Sequence, residues 1–124
     1  MTRIVLAASL LAFSNPFLFA QSGNKVDAAG VQFWTKFKAA VVASDKEGVA
    51  SMTRLPFLFQ GRELAKPAFI QKFGVIFDVK ARRCFEKAKL VKEGQGFEVF
   101  CGQQIFLFDK VNGEYKFTEI AAND

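Results

Sequence analysis

The sequence predicts an α+β domain with three N-terminal helices packed on an antiparallel sheet of about four strands. Apolar residues recur at three- to four-residue steps as far as Phe77 and alternate from Phe85 onward. Two turn signals, Glu93-Gly94-Gln95-Gly96 and Val111-Asn112-Gly113-Glu114, cut the second half into hairpins. Sixteen phenylalanines, against one tryptophan and one tyrosine, supply the bulk of one small core.

The first helix spans Val26 to Val42, with Val26, Phe33, Trp34, Phe37, Ala40 and Val41 on its apolar stripe. Ser44 and Glu47 have the spacing of a capping box, which starts a second helix running to about Thr53 with Val49 and Met52 facing the core. Leu55 to Phe59 contains Pro56 and suits a short extended edge segment, punctuated by Gly61. A third helix begins near Pro67, a residue tolerated in the first turn, and runs through Phe77 with Phe69, Ile70, Phe73, Ile76 and Phe77 buried. Gly74 inside it costs about 1 kcal/mol against alanine, which close packing would explain.

Phe85 to Lys92 and Phe97 to Cys101 form the first predicted hairpin, and Gln104 to Lys110 and Tyr115 to Ile120 the second. A two-residue turn at Asn112-Gly113 sets the register of the second. Asp109 then faces Lys116, Phe108 faces Phe117, Leu107 faces Thr118, and Phe106 faces Glu119. In that register Phe106, Phe108, Phe117 and Glu119 share one face, and Ile105, Leu107 and Ile120 the other. Both faces are apolar, so the one turned from the helices needs a second cover.

Residues 1 to 20 have the form of an export signal: Arg3, an apolar run from Ile4 to Phe13, and a small residue at Ala20 before Gln21-Ser22-Gly23-Asn24. Cleavage after Ala20 leaves residues 21–124, one domain of 104 residues. A membrane anchor is the alternative, but Ile4 to Ala20 is interrupted by Ser14, Asn15 and Pro16 and falls short of the roughly twenty apolar residues a span requires. The mature chain carries sixteen basic and twelve acidic residues, net +4, spread along its length, which argues against nucleic-acid binding.

The chain has no histidine, which excludes a Ser-His-Asp triad, a Cys-His pair and any histidine metal site. Cys84 and Cys101 match no zinc spacing, and no metal or cofactor is expected. In an oxidising compartment the two cysteines are expected to pair, stabilising by about 3 kcal/mol. A symmetric hairpin about Gly94-Gln95 would place Ala88 opposite Cys101, so the bond requires Cys84 to precede the strand or the hairpin to be irregular. Two buried free thiols are the alternative.

Three amphipathic helices before antiparallel strands, with Phe33-Trp34-Thr35-Lys36-Phe37-Lys38 on the first helix and the final hairpin from Gln104 to Phe117, resemble the NTF2-like, cystatin-like cone. The resemblance implies a curved sheet wrapped around the long helix and enclosing a pocket. By helix facing and strand parity its lining would be Phe33, Phe37, Phe73, Phe77, Phe106, Phe108 and Phe117, for each of which plain core packing is the competing role. Enzymes of that fold place a carboxylate or histidine inside the cone. Here Glu119 is the acidic candidate, with Tyr115 or Arg82 as its helper.

No catalytic motif is present, so the expected function is non-catalytic. The protein is expected to be periplasmic or secreted, binding a small apolar ligand or an envelope protein through the aromatic pocket or a sheet face, with homodimerisation through that face also open. One alternative is a cone enzyme of the isomerase, hydratase or hydrolase type, which requires a buried Glu119. The other is an inhibitor or immunity-like protein docking through Ile105, Leu107 and Ile120.

Overall fold

Three aspartates start the three best-capped helices, each by accepting a bond from a backbone N–H that the first turn leaves free. In the computed structural model, which describes residues 25–123, Asp27 Oδ1 accepts from Gly30 N at 2.7 Å and opens α1 (Ala28–Val42). Asp45 accepts from Gly48 N at 3.0 Å and opens α2 (Lys46–Ser51). Asp78 accepts from Ala81 N at 2.9 Å and opens α5 (Val79–Lys87). The expected Ser44–Glu47 capping box does not form: Ser44 takes a positive φ of 56° and the cap falls to Asp45, three residues before Gly48, which has no side chain to reciprocate. The export signal read at residues 1 to 20 lies outside the described residues.

The third predicted helix is divided into α3 (Lys66–Gln71) and α4 (Phe73–Ile76), which meet at Lys72. The break keeps Phe69, Phe73, Ile76 and Phe77 in the core, so its burial survives the kink. Gly74 has nothing within 4 Å of where a Cβ would stand, so close packing does not explain it. Helix α5 takes the first three residues of the strand expected from Phe85 to Lys92, with Ala81 and Phe85 buried at helical spacing, and β3 is only Val91–Glu93. A small hairpin, β1 (Phe57–Phe59) and β2 (Arg62–Leu64), turns through Gln60 and Gly61, both at positive φ.

The main sheet is an antiparallel meander in the order β3-β4-β5-β6, with β4 at Gly96–Cys101, β5 at Gln104–Val111 and β6 at Glu114–Ala122. It is neither closed nor curled, and β1-β2 is a separate sheet, so the NTF2-like cone and its curved-sheet fold class are not what this chain forms. The physical reason lies in two features. Strong curvature needs repeated bulges or glycine kinks across a sheet, and the register of the four strands shifts at one place, between Leu107 and Phe108. The volume a cone would keep open is also filled by aromatic rings.

Ten phenylalanines are buried in that core; Phe33, Phe59 and Phe100 are the others among the described residues. Phe37 of α1 is at its centre, with ring centroids 5.1 Å from Phe108, 5.4 Å from Phe117 and 5.9 Å from Phe77. Across the strands Phe97 stacks on Phe108 at 4.8 Å, and Phe85 of α5 meets Phe106 edge-on at 4.9 Å. A Cβ on Gly96 would run into the Phe108 carbonyl oxygen, so β4 approaches β5 there as only glycine permits. Cys84 and Cys101 form a disulfide across a Cα–Cα distance of 5.8 Å, with Cys84 on α5 ahead of the strands.

Candidate functional site

Of the seven phenylalanines proposed as pocket lining, Phe37, Phe73, Phe77, Phe106, Phe108 and Phe117 are buried in the core. Phe33 is half-buried at its margin, 5.8 Å from Phe37, 6.0 Å from Phe108 and 6.0 Å from Tyr115 by ring centroid. None of the seven lines either of the two cavities described below. These rings pack on one another.

Glu119 and Tyr115 are held apart by a β-bulge. From Asn112-Gly113 the register runs as predicted through Asp109 opposite Lys116 and Phe108 opposite Phe117. Thr118 is then the extra residue, so Leu107 faces Glu119 and Phe106 faces Ile120. The parity of the strand reverses. Ile120 joins the core face, and Glu119 points with Leu107 to the outer face, where it is exposed. Both the carboxylate expected beside Phe106, Phe108 and Phe117 and the expected Ile105-Leu107-Ile120 face are corrected by this one residue.

Tyr115 stays on the inner face, packed against Phe33 and Phe97, and its hydroxyl donates to Asp27 Oδ1 at 2.8 Å. Burial, then the bond to Asp27, pushes its pKa up to about 12, so it remains a neutral donor. The bonds from Gly30 N and Tyr115 hold the Asp27 carboxyl below its ordinary value. Lys110 completes the group, its ammonium 3.8 Å from Asp27 Oδ2 and 5.2 Å from the Tyr115 ring centroid. This cluster ties the start of α1 to β5 and β6. Arg82 is half-buried on α5, and its Nε has no hydrogen-bond partner among the described residues. Among those residues no group of three or more carboxylates and cysteines is placed to hold a metal.

Two surfaces remain. The outer face of the main sheet carries Val91 and Phe100, 43% and 42% exposed, beside half-buried Ile105, Leu107 and Ala121. Glu98, Glu119, Asp109 and Lys116 lie on the same face by register. Burial among its neighbours, and secondarily Glu93, raises the pKa of Glu98. Phe100 and Val91 were not singled out from sequence, although alternation along β4 with Gly102-Gln103 as the turn would have placed Phe100 opposite Ile105.

The second surface is a cleft of about 1070 Å³ between α5 and the β4–β5 turn. Lys80, Arg83, Cys84 and Lys87 line it from the helix, and Cys101 to Gln104 from the turn. Asn123 clamps the turn, donating from its backbone N to Gln103 O at 2.8 Å and from Nδ2 to Gly102 O at 3.1 Å. Residues 78–84 fall between the third predicted helix and the strand expected from Phe85, so the helical side of this cleft has no counterpart among the predicted elements; Asp78 followed by Ala81, Phe85 and Ala88 is the available signal. A smaller apolar groove of about 220 Å³ separates Leu58, Phe59 and Gln60 from Ile120 and Ala122.

The chain matches no protein-family model, no curated protein and no solved structure.

Proposed function

We propose that this is an exported, non-catalytic protein that docks on another exported protein through the outer face of its four-stranded sheet. The observation that carries the proposal is the pairing of Phe100 with Ile105 and of Leu107 with Glu119 on a sheet face opposite the filled core. A row of partly exposed apolar side chains with carboxylates among them is the composition of an interface whose centre is apolar and whose rim is polar. Export is supported by the signal-like residues Arg3, Ile4 to Phe13 and Ala20 and by the Cys84–Cys101 bond, which suits an oxidising compartment. Among the described residues no helix is long and apolar enough to cross a membrane. The exposure of Glu119 and the separate engagement of Tyr115 weigh against an acid-base pair.

Photo-cross-linking tests this proposal. A photoreactive amino acid at Leu107 is expected to give one discrete heterologous adduct in the exporting host, and the same group at exposed Gly74 none. The substitution F100K, which sets a charge in the apolar row, is expected to weaken the isolated complex by about 2 kcal/mol, roughly thirtyfold. A homodimer adduct at Leu107, or equal adducts at both sites, would exclude the proposed docking.

A further inference from the structure

We infer that the cleft beside α5 binds an extended acidic segment of a protein partner, read by a row of unpaired cations. Residues 78–89 carry five of the chain's basic residues against Asp78 and Glu86. Lys80, Arg83 and Lys87 recur at i, i+3 and i+7, so they lie along one face of α5, and all three are exposed at the cleft. Among the described residues none of the three has an ion-pair partner within 4.0 Å. Asp78 also lines the cleft and keeps its charge while capping Ala81 N, and Glu86 adds a second carboxylate, so three cations against two carboxylates leave the cleft a net charge of +1 with no direct ion pair to the cationic row.

The face is held in place from within. Cys84 is one turn from both Lys80 and Lys87, and its bond to Cys101 fixes the rotation of α5 so that the cationic row borders the cleft while Ala81 and Phe85 remain buried. On the opposite wall Asn123 clamps the Gly102-Gln103 turn, so the groove exists before any ligand arrives.

Spacing selects the ligand. The helix rise puts Lys80 about 4.5 Å from Arg83 and Arg83 about 6 Å from Lys87 along the axis. An extended peptide presents alternate side chains every ~6.7 Å on one face, within reach of flexible lysine and arginine termini. A row suits a string of separated carboxylates better than a single compact anion. Glu86 on the same rim opposes a continuous phosphate chain but leaves room for a peptide with neutral residues between its acids. This inference names the partner chemistry within the docking already proposed and rests on the partner being a protein.

The test uses the mature protein and a short fluorescent peptide in which glutamate alternates with threonine, followed by anisotropy at about 50 mM salt, where surface charge is weakly screened. The variant K80E/R83E/K87E is expected to weaken binding at least about tenfold. K36E/K46E/K72E, an equal charge change at exposed positions elsewhere, is expected to bind as the parent does. If the reversal variant loses its circular dichroism signature, K80Q/R83Q/K87Q takes its place with the same expectation. Absence of peptide binding, equal loss in both triple variants, or competition by citrate or oligothymidine as strong as that by unlabelled peptide would overturn the inference. F100K, with the photoreactive amino acid kept at Leu107, separates the two proposals: peptide binding that survives it, with loss of the sheet-face adduct, leaves the cleft standing independently.

Discussion

Removal of the disulfide by C84S/C101S is expected to cost about 3 kcal/mol of unfolding free energy. Cys84 and Cys101 are 17 residues apart. In the chain-entropy relation a closed loop of that length withholds about 10.5 cal/mol/K from the unfolded chain, or about 3.1 kcal/mol at 25 °C. Native packing changes this little, because both cysteines are only half-buried and Phe85, one residue along α5, anchors the helix in the core independently. For a domain of about 100 residues the loss corresponds to a fall in Tm of about 12–24 °C. Urea titration of oxidised wild type and the double variant measures it directly, and the m-value of the variant is expected to rise as its unfolded chain becomes more expanded. A loss below about 1 kcal/mol with an unchanged m-value would refute the argument that the bond acts through the unfolded chain.

Three further predictions concern the sheet, a glycine inside α4 and the helix cap. Gly96→Ala forces a Cβ onto the Phe108 carbonyl oxygen of a central strand, and the clash is with backbone that cannot rotate away; it is expected to destabilise by about 3 kcal/mol in the same urea assay, whereas Gly74→Ala, with open space around it, is expected to stabilise by up to about 1 kcal/mol. Tyr115→Phe removes the bond to Asp27 and is expected to cost about 1 kcal/mol near neutral pH, measured by urea unfolding across pH. The folded pKa of Tyr115 is raised to about 12, so its contribution is complete below its ordinary value near 10 and is lost as pH rises toward 12. The carboxyl of Asp27 is held low, so its contribution is present above the ordinary carboxylate range and is lost as pH falls through the folded value. The variant's stability curve is therefore expected to flatten at its alkaline end and keep most of its acid limb, because Gly30 N remains the chief partner of Asp27; an unchanged alkaline limb would show that the Tyr115 bond contributes nothing.

Local chemistry made several features legible in the sequence. The stripe of Trp34, Phe37 and Val41 follows from helical spacing, and the start of the last hairpin from Asn112-Gly113, whose φ angles of 54° and 84° produce the expected pairing of Asp109 with Lys116 and Phe108 with Phe117. The absence of histidine chemistry follows from composition alone, and the Cys84–Cys101 bond follows from the two cysteines together with the expectation of an oxidising compartment. Helix α5 is hard to read from sequence because only Ala81 and Phe85 are buried on it, a stripe too narrow to mark a helix ahead of Phe85 or to outweigh the alternating look of the residues that follow. The resemblance to a cone failed for a related reason, since the order of helices and strands does not encode how strongly a sheet curls.

The side of the sheet on which Glu119 stands was decided by tertiary structure. Alternation along a strand holds only while its register is unbroken, and here the break is stabilised from far away in the chain. Arg54 N donates to Phe117 O at 2.9 Å and Phe117 N donates to Met52 O at 2.8 Å, while the Thr118 hydroxyl donates to Leu107 O at 3.2 Å. Bonds reaching some 64 residues back along the chain compensate for the ladder disrupted at Thr118. The sequence by itself determined the pairing of the last hairpin about Asn112-Gly113 and which residues are apolar enough to fill the core. Those long-range bonds determined which side chains face outward, because a one-residue insertion reverses the face of every residue beyond it.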